Sequence, residues 1–166
     1  SIGSIIALNF STKYKKIINK LILISSVYNR SLNEKKMVLS RYKIAKKGGS
    51  ISNLAIKRWF TKKFLNKNPN VNNFFFNLLE KNKNENFLPA YKLFANSNNQ
   101  KFDFKKFNIP TLLITGEKDS NSTPEMSSKL SKKIKKSKLK IISNARHMAI
   151  YENAIIINTE IKKFLK

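Results

Sequence analysis

Three short apolar runs closed by turn residues constrain the fold of this chain most. They are Leu21-Ile22-Leu23-Ile24 before Ser25-Ser26, Thr111-Leu112-Leu113-Ile114-Thr115 between Pro110 and Gly116, and Leu139-Lys140-Ile141-Ile142. A continuous apolar run bounded by turn signals suits a strand buried on both faces, as in a parallel sheet. Helical patterns separate the runs. Ile2, Ile5, Ile6, Phe10, Tyr14, Ile17 and Ile18 fall at the three-and-four spacing of one buried face and predict a helix from Ile2 to Ile18. Thr123-Pro124-Glu125 is a helix start: a capping hydroxyl, a proline at the first helical position and an acid in the first turn. Met126, Leu130 and Ile134 follow on one face, and Ala154 to Leu165 predicts a closing helix with Ile157, Ile161 and Phe164 inward.

The middle, residues 28–102, differs in character, being rich in Lys, Asn and aromatics without strand alternation. Val38, Tyr42 and Ala45 form a helical stripe that stops at Gly48-Gly49. A second helix starts at Ser52 and carries Leu54, Ala55, Trp59, Phe60 and Phe64. Two more are predicted from Asn70 to Leu79 and from Leu88 to Ala95, with a loop from Glu80 to Asn86 between them. The expected architecture is a parallel α/β sheet formed by residues 1–27 and 103–166, interrupted by a helical insertion over 28–102.

A formal charge of +25 invites a nucleic-acid reading. Of 34 basic residues, however, 30 are Lys and only four are Arg: Arg30, Arg41, Arg58 and Arg146. Lys, Asn and Ile together make 72 of the 166 residues, while Gly, Ala, Pro and Arg make 20. That contrast matches AT-rich coding, which loads Lys onto every solvated surface. Base and phosphate recognition favours the planar arginine fork, so no specific nucleic-acid partner is expected. A non-catalytic basic binding module remains the competing class, and it predicts DNA binding with a steep salt dependence. No run approaches the ~18 apolar residues of a transmembrane helix. With no Cys and a single His, thiolate and multi-histidine metal centres are excluded.

Few residues remain to carry chemistry. Ser1 stands at the head of a helix, Asp119 in the loop after the 111–115 strand, and His147 just after the 139–142 strand. In open parallel sheets, sites form outside the carboxyl ends of the strands. Taken alone, each has an ordinary alternative. Ser1 suits a helix N-cap, Asp119 a turn beside Lys118, and a lone His a structural position. Ser4 is a rival nucleophile one turn into the helix.

The order Ser, Asp, His is that of the α/β-hydrolase triad, and the surrounding residues resemble that superfamily. Ser1-Ile2-Gly3 resembles the second half of the G-x-S-x-G nucleophile elbow. Ile109 to Asp119 resembles the acid-bearing strand and loop. Asn144-Ala145-Arg146-His147-Met148 resembles the histidine turn, with Glu152-Asn153 as its continuation. Arg58-Trp59-Phe60-Thr61, Tyr91 to Asn98 and Ser122-Thr123-Pro124 are similar to the 3-oxoadipate enol-lactonases, although esterases and C–C bond hydrolases share parts of this pattern. The resemblance implies the C-terminal part of an α/β-hydrolase fold, a parallel sheet flanked by helices with a helical cap, beginning at the nucleophile elbow. The length then corresponds to part of a domain of ~250 residues.

It further implies Ser1 as nucleophile, His147 as base, Asp119 as the acid orienting it, and the Ile2 amide as one oxyanion donor. A second donor is expected from residues outside this chain, so these residues alone are expected to be inactive. Arg58 and Trp59 become candidate substrate contacts, Arg58 through a substrate carboxylate; for Trp59 ordinary cap packing is the alternative. The mechanism so implied needs no metal or cofactor, and the expected partner is a small ester or lactone, with no membrane association and a cytoplasmic location.

Overall fold

The computed structural model describes residues 1–82, 84–97, 102–104 and 107–166. Its sheet contains β1 (Leu21–Ile24), β2 (Thr111–Gly116) and β3 (Ser137–Ile142), all parallel and in that order. Leu23 pairs with Leu113, and Leu113 with Leu139. Every residue of the central strand is buried. Successive side chains of a strand point to opposite faces, so Leu113 packs with Leu8, Leu23, Ile109 and Leu130 on one side. Leu112 and Ile114 pack with Ile142, Ala149 and Ile157 on the other. Both faces are therefore covered, as the unbroken apolar run requires.

Helix α1 (Ile2–Lys13) precedes β1, and α7 (Pro124–Ser131) crosses from β2 to β3. Thr123 caps α7 by accepting from the Met126 amide at 3.3 Å. The short α8 (Ala149–Glu152) and α9 (Ala154–Leu165) follow β3. Between β1 and β2 lie α2 (Leu32–Lys46), α3 (Ser52–Trp59), α4 (Lys62–Lys67), α5 (Pro69–Glu80) and α6 (Asn84–Asn96). A capping box starts α2, with Ser31 and Glu34 each bonding the other's amide.

Several sequence expectations are corrected. The first helix ends at Lys13, and a 3-10 turn follows over Lys15–Ile17. Its buried residues are Ser4, Ile5, Leu8 and Ser11, whereas Ile6, Phe10, Tyr14 and Ile17 are exposed. This helix is apolar on two sides, so spacing alone did not select the face that meets β1. The helix expected from Ser52 through Phe64 breaks at Phe60, where the chain turns extended and Thr61 caps α4. Helix α6 begins at Asn84, which shortens the loop expected over Glu80 to Asn86. Residue 83 of that loop, Asn98, and residues 105–106 of the expected return to the sheet lie outside the described residues. The four-residue α8 was not expected, being too short to show an apolar spacing.

Candidate active site

The turn after β2 builds the acidic end of the site. Asp119 is buried, and its amide donates to the Gly116 carbonyl at 3.1 Å. Its Oδ1 accepts from the amides of Asn121 (2.9 Å) and Ser122 (3.0 Å), a turn that aspartate favours. Oδ2 is thereby aimed at His147 Nδ1, 2.7 Å away. Lys118 takes no part, because its Nζ donates to Asn144 Oδ1 at 2.8 Å.

The histidine loop is held from several directions. Asn144 adopts the left-handed conformation (φ 57°), and its amide donates to Glu117 Oε2 at 2.7 Å. The carbonyls of Ala145 and Arg146 lie against Gly116, where only the absence of a side chain lets them approach. Ser25, also left-handed (φ 51°), donates from Oγ to the His147 carbonyl at 3.1 Å. The His147 side chain is 11% exposed. With Nδ1–H given to the carboxylate, Nε2 is left as the acceptor.

Ser1 heads α1 but its side chain makes no cap hydrogen bond. The hydroxyl is thus not occupied as an N-cap, the ordinary alternative for this residue. Ser4 is buried, and its Oγ donates to the Ser1 carbonyl at 2.6 Å, which engages the rival hydroxyl within the helix. The first main-chain bond of α1 runs from the Ile5 amide to the Ser1 carbonyl at 3.4 Å. The Ile2 amide lies before that bond, among the donors that a helix leaves without an internal partner.

A cavity of about 500 Å³ collects these groups. Ser1, Ile2 and His147 line it together with Arg41, Arg58 and Trp59. The volume suits a small organic molecule. Arg58 Nε is buried without a hydrogen-bond partner. Burial, and next the charge of Arg41, lower its pKa below the ordinary guanidinium value, with Tyr91 acting in the opposite direction. Arg41 is steadied by Tyr91 Oη (3.3 Å) and Asn121 Oδ1 (3.0 Å). Behind it, Arg30 stacks on Phe94 at 4.5 Å and is pushed down to about 10, chiefly by burial and then by Arg41.

The structure therefore brings Ser1, Ile2, His147, Arg58 and Trp59 to one cavity, with Asp119 bonded to His147 behind it. Sequence reasoning missed Arg41, Tyr91 and Asn121 on this wall, and Ser25 behind the histidine. Among the described residues, no group of three or more His, Asp and Glu side chains is placed to hold a metal ion. Among them, too, no helix is long and apolar enough to cross a membrane.

Comparison with known proteins gives the family and the fold. The sequence model of the family described as serine aminopeptidase, S33, matches residues 1–154. An (E)-2-((N-methylformamido)methylene)succinate hydrolase of Acinetobacter baylyi is 26% identical over 149 residues, covering 89% of this chain and 56% of that protein. Among solved structures, the enol-lactonase of Burkholderia xenovorans LB400 superposes with a TM-score of 0.82 at 17% identity, over 99% of this chain and 63% of that one. A thermophilic esterase of Thermogutta terrifontis gives 0.80 at 22% identity, over 99% and 62%. The chain thus spans about three fifths of the length of these relatives.

Proposed function

The chain belongs to the serine aminopeptidase (S33) family of α/β hydrolases, and on that premise we propose that the protein containing it is a serine hydrolase of small carboxylic esters or lactones. The observation that carries this reading is the 2.7 Å contact of Asp119 with His147, which lines the same cavity as Ser1, whose hydroxyl is uncommitted to a helix cap.

A serine hydroxyl is a weak nucleophile until a base takes its proton. In the proposed cycle, His147 Nε2 accepts that proton as Ser1 Oγ attacks the carbonyl carbon. Asp119 holds the Nδ1–H tautomer and stabilises the imidazolium that forms. The Ile2 amide donates to the oxyanion of the tetrahedral intermediate. Collapse breaks the bond to the leaving oxygen, which takes the proton from His147. In a lactone that oxygen remains tethered to the acyl chain, so the ring opens while the acyl group stays on Ser1. Water, deprotonated by the same histidine, then releases the acid.

An enol-lactone of aromatic-compound breakdown is the proposed substrate. Arg58 and Trp59 line the cavity, and they belong to the Arg58-Trp59-Phe60-Thr61 segment that resembles the 3-oxoadipate enol-lactonases. Arg58 and Arg41 add a positive wall suited to a substrate carboxylate. A panel containing an enol-lactone, neutral acyl esters and a 1,5-diketone tests the assignment. Turnover led by the enol-lactone supports it, and turnover of the diketone alone would replace it with C–C bond hydrolysis.

A further inference from the structure

His147 sits between two residues that reach into the insertion. On one side, Arg146 Nη1 donates to the carbonyls of Lys57 and, at 3.4 Å, Phe60. On the other, the Met148 amide donates to the Trp59 carbonyl at 2.8 Å. These carbonyls end α3, where a helix has acceptors without internal partners and a partial negative charge. The histidine loop thus supplies the C-terminal capping donors of α3, one of them cationic. A second tie lies a turn further on. The Glu152 carboxylate accepts from the Thr61 amide (Oε2, 3.1 Å) and from the Thr61 hydroxyl (Oε1). The contact is also packed, with Met148 against the cluster of Ile56, Phe60 and Phe75 and the Tyr151 ring edge-on to Phe60 at 5.9 Å.

Arg58 and Trp59, the cavity-lining pair, belong to this same five-residue segment. We propose that Arg146 and Glu152 are positioning residues: they lock the loop carrying His147 to the Lys57–Thr61 segment, so that substrate contact and histidine alignment depend on one rigid unit. This rests on the reading of His147 as the base. The Lys57 and Phe60 acceptors are main-chain atoms, so the lock can be altered from the loop side without changing the cavity wall. A displacement of about 1 Å in a reacting group costs on the order of 10²-fold in rate, so loosening the loop lowers turnover more than binding.

The test uses the complete gene product that contains this chain, with Arg146→Ala, Arg146→Lys and Glu152→Gln. Three readouts are taken: kcat and KM on a neutral activated ester, the rate of fluorophosphonate labelling, and Tm. For Arg146→Ala we expect kcat and labelling rate to fall about 10- to 100-fold, with KM changed far less. Arg146→Lys, which keeps a cationic donor within reach of the α3 carbonyls, is expected to recover much of that loss, and Glu152→Gln to fall between. A drop in Tm alone, with kcat and labelling rate at wild-type level, would overturn the proposal. So would a loss that appears in KM alone, or an absence of rescue by lysine when Tm is restored. Should Arg146→Ala fail to fold, the lysine and Glu152→Gln variants decide by the same criteria. A wild-type protein that neither labels nor turns over refutes the hydrolase reading itself, a result distinct from normal variants of an active enzyme.

Discussion

Asp119 Oδ2 lies 2.7 Å from His147 Nδ1, although the two residues are 28 positions apart and belong to loops after different strands. β2 and β3 are neighbours and parallel, so their carboxyl ends deliver both loops to one edge of the sheet. The other carboxylate oxygen is held by two amides, which leaves the pair little freedom. An Asp119→Asn variant keeps this shape but offers an amide where the carboxylate stood. We predict a fall in kcat of ~10⁴-fold, with KM altered little, because the wrong histidine tautomer is then favoured. Steady-state kinetics beside a Tm measurement check it.

Gly116 tests how tightly the histidine loop is seated. A Cβ there would lie 2.6 Å from the Ala145 carbonyl oxygen and would also meet that of Arg146. Both obstacles are main chain, so the loop must shift. Gly116→Ala is predicted to destabilise by about 1–3 kcal/mol, as overpacking does, and to lower kcat. Denaturant unfolding and kinetics measure the two effects separately.

Arg58 tests the substrate side. Its buried Nε has no hydrogen-bond partner, and neither it nor Arg41 forms an ion pair among the described residues. Arg58→Leu is predicted to lower the ratio of kcat/KM for a carboxylate-bearing ester over a neutral one by about 10- to 100-fold, the worth of a charged hydrogen bond. An equal loss on both esters would assign Arg58 to packing.

Glu80, which lines the cavity, carries a pH prediction. The hydroxyls of Ser50 and Ser52 donate to its Oε1, at 2.6 and 2.5 Å, and hold its pKa below the usual carboxylate value. A carboxylate stabilised in this way adds stability above its unfolded-state pKa and loses it as pH falls through the lower folded-state value. The stability difference between wild type and Glu80→Gln should therefore shrink on acidification, as read by urea unfolding across a pH series. The effect should be small because the group is exposed.

Some of this was legible in the sequence for identifiable reasons. The run 111–115 suited a strand covered on both sides, because it is short, unbroken and stands between Pro110 and Gly116. The positions of Asp119 and His147 followed from the strands before them. The face of α1 did not follow, since Ile6, Phe10 and Tyr14 are as apolar as Ile5 and Leu8. Nor did Arg41, which sits among lysines on α2. A signal for it existed. In a chain with 30 Lys and four Arg, each Arg marks a place where the planar fork is useful. Arg30 stacks on Phe94, Arg41 bonds Tyr91 and Asn121, Arg58 lines the cavity, and Arg146 caps α3. The scarcity that argued against nucleic acid also pointed to the site.

The most direct test of the account is the residue that a fluorophosphonate labels in the complete gene product containing this chain. Peptide mapping after labelling should place the adduct on Ser1, and Ser1→Ala should abolish both labelling and ester hydrolysis while leaving the fold intact by circular dichroism. Labelling that persists in Ser1→Ala, or an adduct mapped to another serine, would contradict the account.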